Sequence, residues 1–396
     1  MIASARTPHL NTDIHRKVSW LELFYDLVYV ATIVQLGNKL SEDVSDLGFL
    51  GFVLLFVPIW WVWMGTTFYA NRFAADDLAH HLLIFAQIFI VSALAIHVFD
   101  GLGETSAGFA LAYAAARGIL VIMYLRAARY VEIARPLARR YAIGFAIAAL
   151  IWLVSAFVPP PFRFGLWIVG LLVDFGVPLS PESVRLQKLL PPSPHHLPER
   201  MGLFTTIVFG ESFIKVIGGF SGHEIEFQRV IVALLGLVLV GSLWWVYFEN
   251  VAERAVNWAR GAQVWIYTHL PLQLALVALA VGIYKLVTLH GGHGEESGLP
   301  AEYRLLICGS VALALLTTSV IELCMIKGAE ERAGRPEFFV HLIGAIAAVA
   351  VGIFGGALNE LTVMALLALI CFAQVVFDLY RRAGLAPAAE TSTIEV

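Results

Sequence analysis

Apolar runs of about twenty residues, the length that crosses a bilayer core, follow one another along this chain with short polar breaks between them. Hydropathy and the breakers predict twelve helices near residues 20–38, 48–68, 81–99, 108–125, 141–158, 162–179, 201–219, 230–248, 264–288, 303–325, 338–357 and 361–380. The fifth and sixth are joined only by Val158-Pro159-Pro160-Pro161, and the eleventh and twelfth only at Ala357-Leu358-Asn359. Each of those pairs, 141–179 and 338–380, also reads as a re-entrant hairpin. The expected fold class is all-α, a polytopic membrane bundle.

Composition narrows the function classes. Of 396 residues, 59% are apolar and 14% charged, far from the balance of a water-soluble domain. No glycine-rich phosphate loop, nucleophile elbow or metalloprotease motif is present, and nothing in the charge pattern suits nucleic acid. Cys308, Cys324 and Cys371 fall inside apolar runs without the close pairing of a zinc or redox motif, and read as packing residues. The first run lacks a small-residue cleavage site and reads as a retained span.

Basic residues set an orientation. With the N-terminus on the cytoplasmic side, 19 of the 26 Lys and Arg fall in cytoplasmic segments, among them Arg72, Arg126, Arg129, Arg135, Arg139, Arg140 and Arg200. The other side keeps Lys39, Arg163, Arg229, Lys285 and Arg304, while Arg117 and Lys215 lie inside spans. This bias favours cytoplasmic placement of both termini. The opposite loops agree, since residues 41–46, 100–104 and 290–296 are acidic or neutral. His290 and His293 are flanked by glycines and lack the rigid set a metal needs. The stretch from Ala386 onward reads as a disordered tail.

Landmarks recur. Asp26 in the first span is matched by Glu211 in the seventh, 185 residues later; Trp60-Trp61-Val62-Trp63 by Trp244-Trp245-Val246-Tyr247; and His81-Leu82 by His269-Leu270. The expected organisation is a cytoplasmic segment 1–19, a six-helix repeat 20–180, a cytoplasmic linker 181–200, a second six-helix repeat 201–380 and a tail 381–396. Because six is even, the repeats run parallel, and such repeats typically enclose a site at their interface.

Ionisable groups inside hydrocarbon are costly and mark candidate chemistry. Glu22, Asp26 and Tyr29 share one face of the first helix. They suit proton or cation handling, or else a structural acid paired with an arginine from another helix such as Arg117. Glu211 has Lys215 one turn beyond it, a spacing that allows an ion pair within the helix. A third cluster, Asn71, Arg72, Asp76, Asp77 and His81, has a counterpart in Glu249, Glu253 and His269. Two such acid-bearing segments suit Mg2+ and a diphosphate, although charges at span ends are also ordinary solvated connections.

The run Ser19-Trp20-Leu21-Glu22-Leu23-Phe24-Tyr25-Asp26-Leu27-Val28-Tyr29-Val30 resembles the hallmark of the bacterial low temperature requirement A family. Similar too are Trp60-Trp61-Val62-Trp63 with Tyr69-Ala70-Asn71-Arg72-Phe73 and Asp76-Asp77, then His196-Leu197 with Glu199-Arg200-Met201-Gly202-Leu203-Phe204. Gly210-Glu211-Ser212, Trp244 to Glu249 and Tyr267 to Leu272 complete the set. The resemblance implies a multi-pass protein of the bacterial inner membrane, without fixing an activity. The leading expectation is a transporter or channel for a small ion or molecule, whose repeats face one another across a polar path. Asp26 and Glu211 would handle protons or cations there, with Glu22, Lys215 and Arg117 tuning them and no cofactor required. The alternatives are a membrane enzyme acting on a lipid or isoprenoid diphosphate with Mg2+ at the cytoplasmic face, and a sensor or assembly factor.

Overall fold

Ser19 opens the first helix with a reciprocal capping box: its hydroxyl accepts the Glu22 N–H, and the Glu22 carboxylate accepts the Ser19 N–H at 2.8 Å. Ser45 and Asp77 cap the second and third helices in the simpler way, and prolines at 136 and 181 begin others where a missing N–H costs nothing. The computed structural model describes residues 8–10, 17–74, 77–193, 195–221, 226–252, 261–289, 298–325 and 336–385. Asp76, Glu253, the His290–His293 loop and the tail from 386 lie outside them.

Thirteen α-helices form among the described residues. They are α1 (Trp20–Glu42), α2 (Asp46–Arg72), α3 (Leu78–Val98), α4 (Ser106–Tyr130), α5 (Arg135–Ser155), α6 (Phe162–Leu179), α7 (Pro181–Leu189), α8 (His196–Gly218), α9 (Phe227–Tyr247), α10 (Ala262–Thr288), α11 (Ala301–Leu323), α12 (Pro336–Phe354) and α13 (Glu360–Leu385). All but α7 are long and apolar enough to cross a membrane, including both members of the two short-linked pairs. Among the described residues, the sheet content is a two-residue antiparallel pairing of His9–Leu10 with Phe73–Ala74.

Boundaries shift in ways that matter. The second helix runs on to Arg72, so Asn71 and Arg72 belong to its last turn and not to a connection. The eighth begins at His196 and not near 201, which puts Arg200 inside a helix instead of a linker.

The chain folds as two compact units, residues 1–211 with 255–262, and residues 212–254 with 263–396. In the first, α4 packs on α3 and α5, α5 on α6, and α1 on α2 and α3. Small residues bring α4 and α5 close: Ala110, Ala116 and Ala127 on one and Ala138, Ala142 and Ala148 on the other are buried. Helix α6 is peripheral, with Trp167, Gly170 and Asp174 as its buried residues. In the second unit α11 packs on α12 and α9 on α13. Arg304 ties α11 to α12 there, donating to Gly352 O and Leu299 O, each at 2.9 Å.

Candidate functional site

On α1, residues 22, 25, 26, 29 and 33 recur at helical spacing and are buried, while Phe24 and Leu27 on the opposite face are exposed. The buried stripe therefore carries two carboxylates and two tyrosines into the first unit. On α8, His196, Arg200 and Phe204 are spaced by four and share a face. The two stripes meet. Arg200 grips Asp26 with two nitrogens, Nη2 to Oδ1 at 2.9 Å and Nε to Oδ2 at 3.4 Å, and its Nη1 reaches Glu22 Oε1 at 3.4 Å. Asp26 is fully buried and Arg200 only 1% exposed.

Trp63 of α2 completes the cage. Its indole N–H donates to Asp26 Oδ1 at 2.7 Å, and its ring stacks on Phe204 at 4.1 Å between centroids. The Arg200 guanidinium lies 5.9 Å from the Tyr25 ring and 6.0 Å from the Trp63 ring, a cation held against aromatic faces. Tyr25 in turn donates to Thr66 at 3.0 Å.

His196 extends the cluster toward Asn71. Asn71 accepts the Ser193 N–H through Oδ1, so its amide NH2 faces His196 Nδ1 at 3.4 Å. That leaves the ring proton on Nε2, which stands 3.4 Å from Glu22 Oε1. Glu22 thus joins the helix cap through one oxygen and the buried cluster through the other.

A second buried ion pair lies in the same unit. Arg117 of α4 meets Asp174 of α6 at 3.1 Å, and Tyr113 bridges them, donating to Asp174 at 2.6 Å and accepting from Arg117 at 3.0 Å. The expectation that Arg117 serves Asp26 is corrected here: Arg117 is bonded to Asp174, and the guanidinium on Asp26 is that of Arg200. Arg117 also packs over Trp61, which stacks on Phe175 at 4.0 Å. Residues two apart on a helix point about 200° apart. Trp61 and Trp63 therefore face opposite ion pairs from opposite sides of α2.

The remaining expected residues separate. Glu211 and Lys215 are both buried in α8, and the Lys215 ammonium sits 5.4 Å from the Tyr284 ring centroid. Asp77 caps α3 through the His80 N–H at 2.7 Å and holds Arg126 at 2.6 Å, while His81 bonds the Asp77 carbonyl at 2.9 Å. Arg72 donates to Leu190 O at 3.3 Å. Glu249 is bonded by Arg382. His269 is buried between Tyr247 OH, at 3.0 Å, and Trp265 O, at 2.7 Å. Asn71 thus joins the Glu22 cluster, and Asp77 and His81 form a helix cap. Among the described residues no group of three or more His, Cys, Asp or Glu is arranged to hold a metal ion.

Sequence reasoning passed over Arg200, His196 and Asp174. Asp174 had the same signal as Asp26, a carboxylate within an apolar run. In the second unit it passed over His341, which bonds Gln374 at 2.9 Å with Glu322 3.7 Å away.

Twelve apolar helices with ion pairs shielded inside them define a multi-pass membrane protein that associates with a lipid bilayer. The chain belongs to the bacterial low temperature requirement A protein (LtrA) family, whose sequence pattern matches residues 17–376. It is 33% identical over 294 residues to the uncharacterized protein RA0937 of Rhizobium meliloti (strain 1021), an alignment covering 69% of this chain and 70% of that protein.

Proposed function

We propose that the protein is a transporter or channel for protons or a small cation, with the Glu22–Asp26–Arg200 cluster as a site of charge exchange. The supporting observation is the setting of two carboxylates. Glu22 and Asp26 lie buried in a membrane-spanning bundle, 3.4 and 2.9 Å from the single guanidinium of Arg200, and intramembrane carboxylates of this kind mark proton and ion pathways. Protonation of either carboxylate, or entry of a cation beside it, changes how Arg200 is shared between the two. His196, whose Nε2–H faces Glu22 at 3.4 Å, offers that carboxylate a neutral donor.

Glu211 and Lys215 are the counterparts in the second six-helix repeat, which is part of the same proposal. His81 and His269, the matched histidines, each bond a carbonyl four residues back in the chain, which is consistent with a common origin. The distribution of basic residues supports the bacterial inner membrane with both termini cytoplasmic.

The test uses the full chain in liposomes, with proton, Na+ and K+ flux under imposed gradients read by pH- and cation-sensitive dyes. Asp26→Asn and Glu211→Gln are expected to abolish flux while the protein still elutes as a folded species. Undiminished flux in both variants overturns the proposal.

A further inference from the structure

At the end of α4 the exposed face of the helix changes character abruptly. Leu111, Ile122 and Leu125 form an exposed apolar stripe along it, and one turn beyond Leu125 the stripe ends in Arg129. The same happens on α5, where exposed Leu150, Ile147 and Ile143 lead back to Arg139. Between the two endings lies a cavity of about 620 Å³, lined by Ile122, Leu125, Ala128 and the four arginines 126, 129, 135 and 139.

Two of these arginines are already neutralised. Arg126 holds Asp77 at 2.6 Å, and Arg135 holds Glu132 at 3.3 Å. Arg129, resting against the Tyr130 ring, and Arg139 have no acid partner among the described residues. The cavity thus offers two guanidiniums beside an apolar wall, at the level where a span ends. A dissolved anion has no use for that wall, whereas a phospholipid uses both parts. Guanidinium forks match phosphate oxygens, and acyl chains lie along Ile122 and Leu125. Basic pockets at the ends of membrane helices suit anionic head groups for the same reason.

We infer that this cavity binds the head group of an anionic phospholipid, with Arg129 and Arg139 on the phosphate and the α4 and α5 stripes along the acyl chains. A bound lipid at this position would hold the α4–α5 corner, formed by the single 3-10 turn Glu132–Ala134, from outside the bundle.

The experiment measures thermal unfolding of the purified full-length protein in detergent. It compares added phosphatidylglycerol, phosphatidylcholine with the same chains, and glycerol phosphate. Phosphatidylglycerol is expected to raise the midpoint by several degrees more than phosphatidylcholine, with glycerol phosphate giving no rise. Arg129→Gln/Arg139→Gln is expected to erase the excess, and Arg185→Gln, on an arginine paired with Glu182 elsewhere on the surface, to keep it. Should the double variant not fold, Arg129→Gln alone is expected to reduce the excess, since its side chain is exposed and has no acid partner among the described residues. Equal shifts from both lipids, an excess that survives these variants, or an equal shift from glycerol phosphate each overturns the assignment.

Discussion

Trp63 Nε1 and Arg200 Nη2 converge on a single atom, Asp26 Oδ1, at 2.7 and 2.9 Å. Hydrogen bonds to an ionised acceptor are among the stronger ones in proteins. Trp63→Phe keeps a ring to stack on Phe204 but removes the N–H together with the second ring of the indole. The lost hydrogen bond alone is expected to cost about 1.5–3 kcal/mol, with the vacated volume adding to it, read as a lower unfolding midpoint in detergent. A midpoint equal to that of the unaltered protein would contradict a stabilising bond from the indole to Asp26.

Arg200→Gln leaves the fully buried Asp26 without its cation. Breaking a buried pair from one side costs about 3–5 kcal/mol, so poor expression or a sharp loss of stability is expected. Adding Asp26→Asn to the same chain should recover much of the loss, because the orphaned charge is then removed too. Additive losses in this cycle would count against a direct pairing.

The Arg117–Asp174 pair predicts a similar cycle with a distinct partner. Asp174→Asn and Arg117→Gln are each expected to destabilise strongly, and the double variant less than their sum. Arg117→Gln combined with Asp26→Asn should instead be close to additive. Coupling of Arg117 to Asp26 larger than its coupling to Asp174 would contradict the arrangement of these helices.

Gly65 lets α2 pass close to that second pair. A Cβ added there would stand 2.8 Å from Arg117 Nη1 and 2.7 Å from Leu120 Cδ2. The guanidinium is pinned by Asp174 and Tyr113 and does not retreat freely. Gly65→Ala gains about 1 kcal/mol in helix propensity but is expected to lose more to overpacking, about 1–3 kcal/mol. The penalty should shrink in an Arg117→Gln background, which a melting series would reveal.

How far the sequence led differs between helices and partners. Apolar run length located all twelve long helices, because a span must satisfy its own backbone whatever surrounds it. Asp26 stood out by the same logic, as a charge where hydrocarbon is expected. Arg200 did not, although it lies in a recognisable motif. It follows the proline-rich segment Pro191-Pro192-Ser193-Pro194, and an arginine beside a span end ordinarily marks the cytoplasmic side. Only the earlier start of α8 turns it inward. Which arginine meets which acid depends on helix packing, and one sequence carries no record of that. Trp61 and Trp63 were read as a repeated landmark, and their division between two ion pairs emerged only with the rotation of α2.

The slim buried face of α6 bears on how the protein is made. Trp167, Gly170 and Asp174 are its buried residues, and in lipid apolar surface alone supplies little force to dock a helix. A central Asp or Arg adds about 2.5–3.5 kcal/mol to the cost of inserting a span, so α4 and α6 each enter the bilayer with a debt that neither can discharge alone. Arg117, synthesised first, waits for a partner until α6 emerges some fifty residues later. Insertion of α6 and its docking against α4 are thereby made one event, and a chain interrupted before Asp174 would present an unmet charge in the membrane for quality-control proteases to recognise.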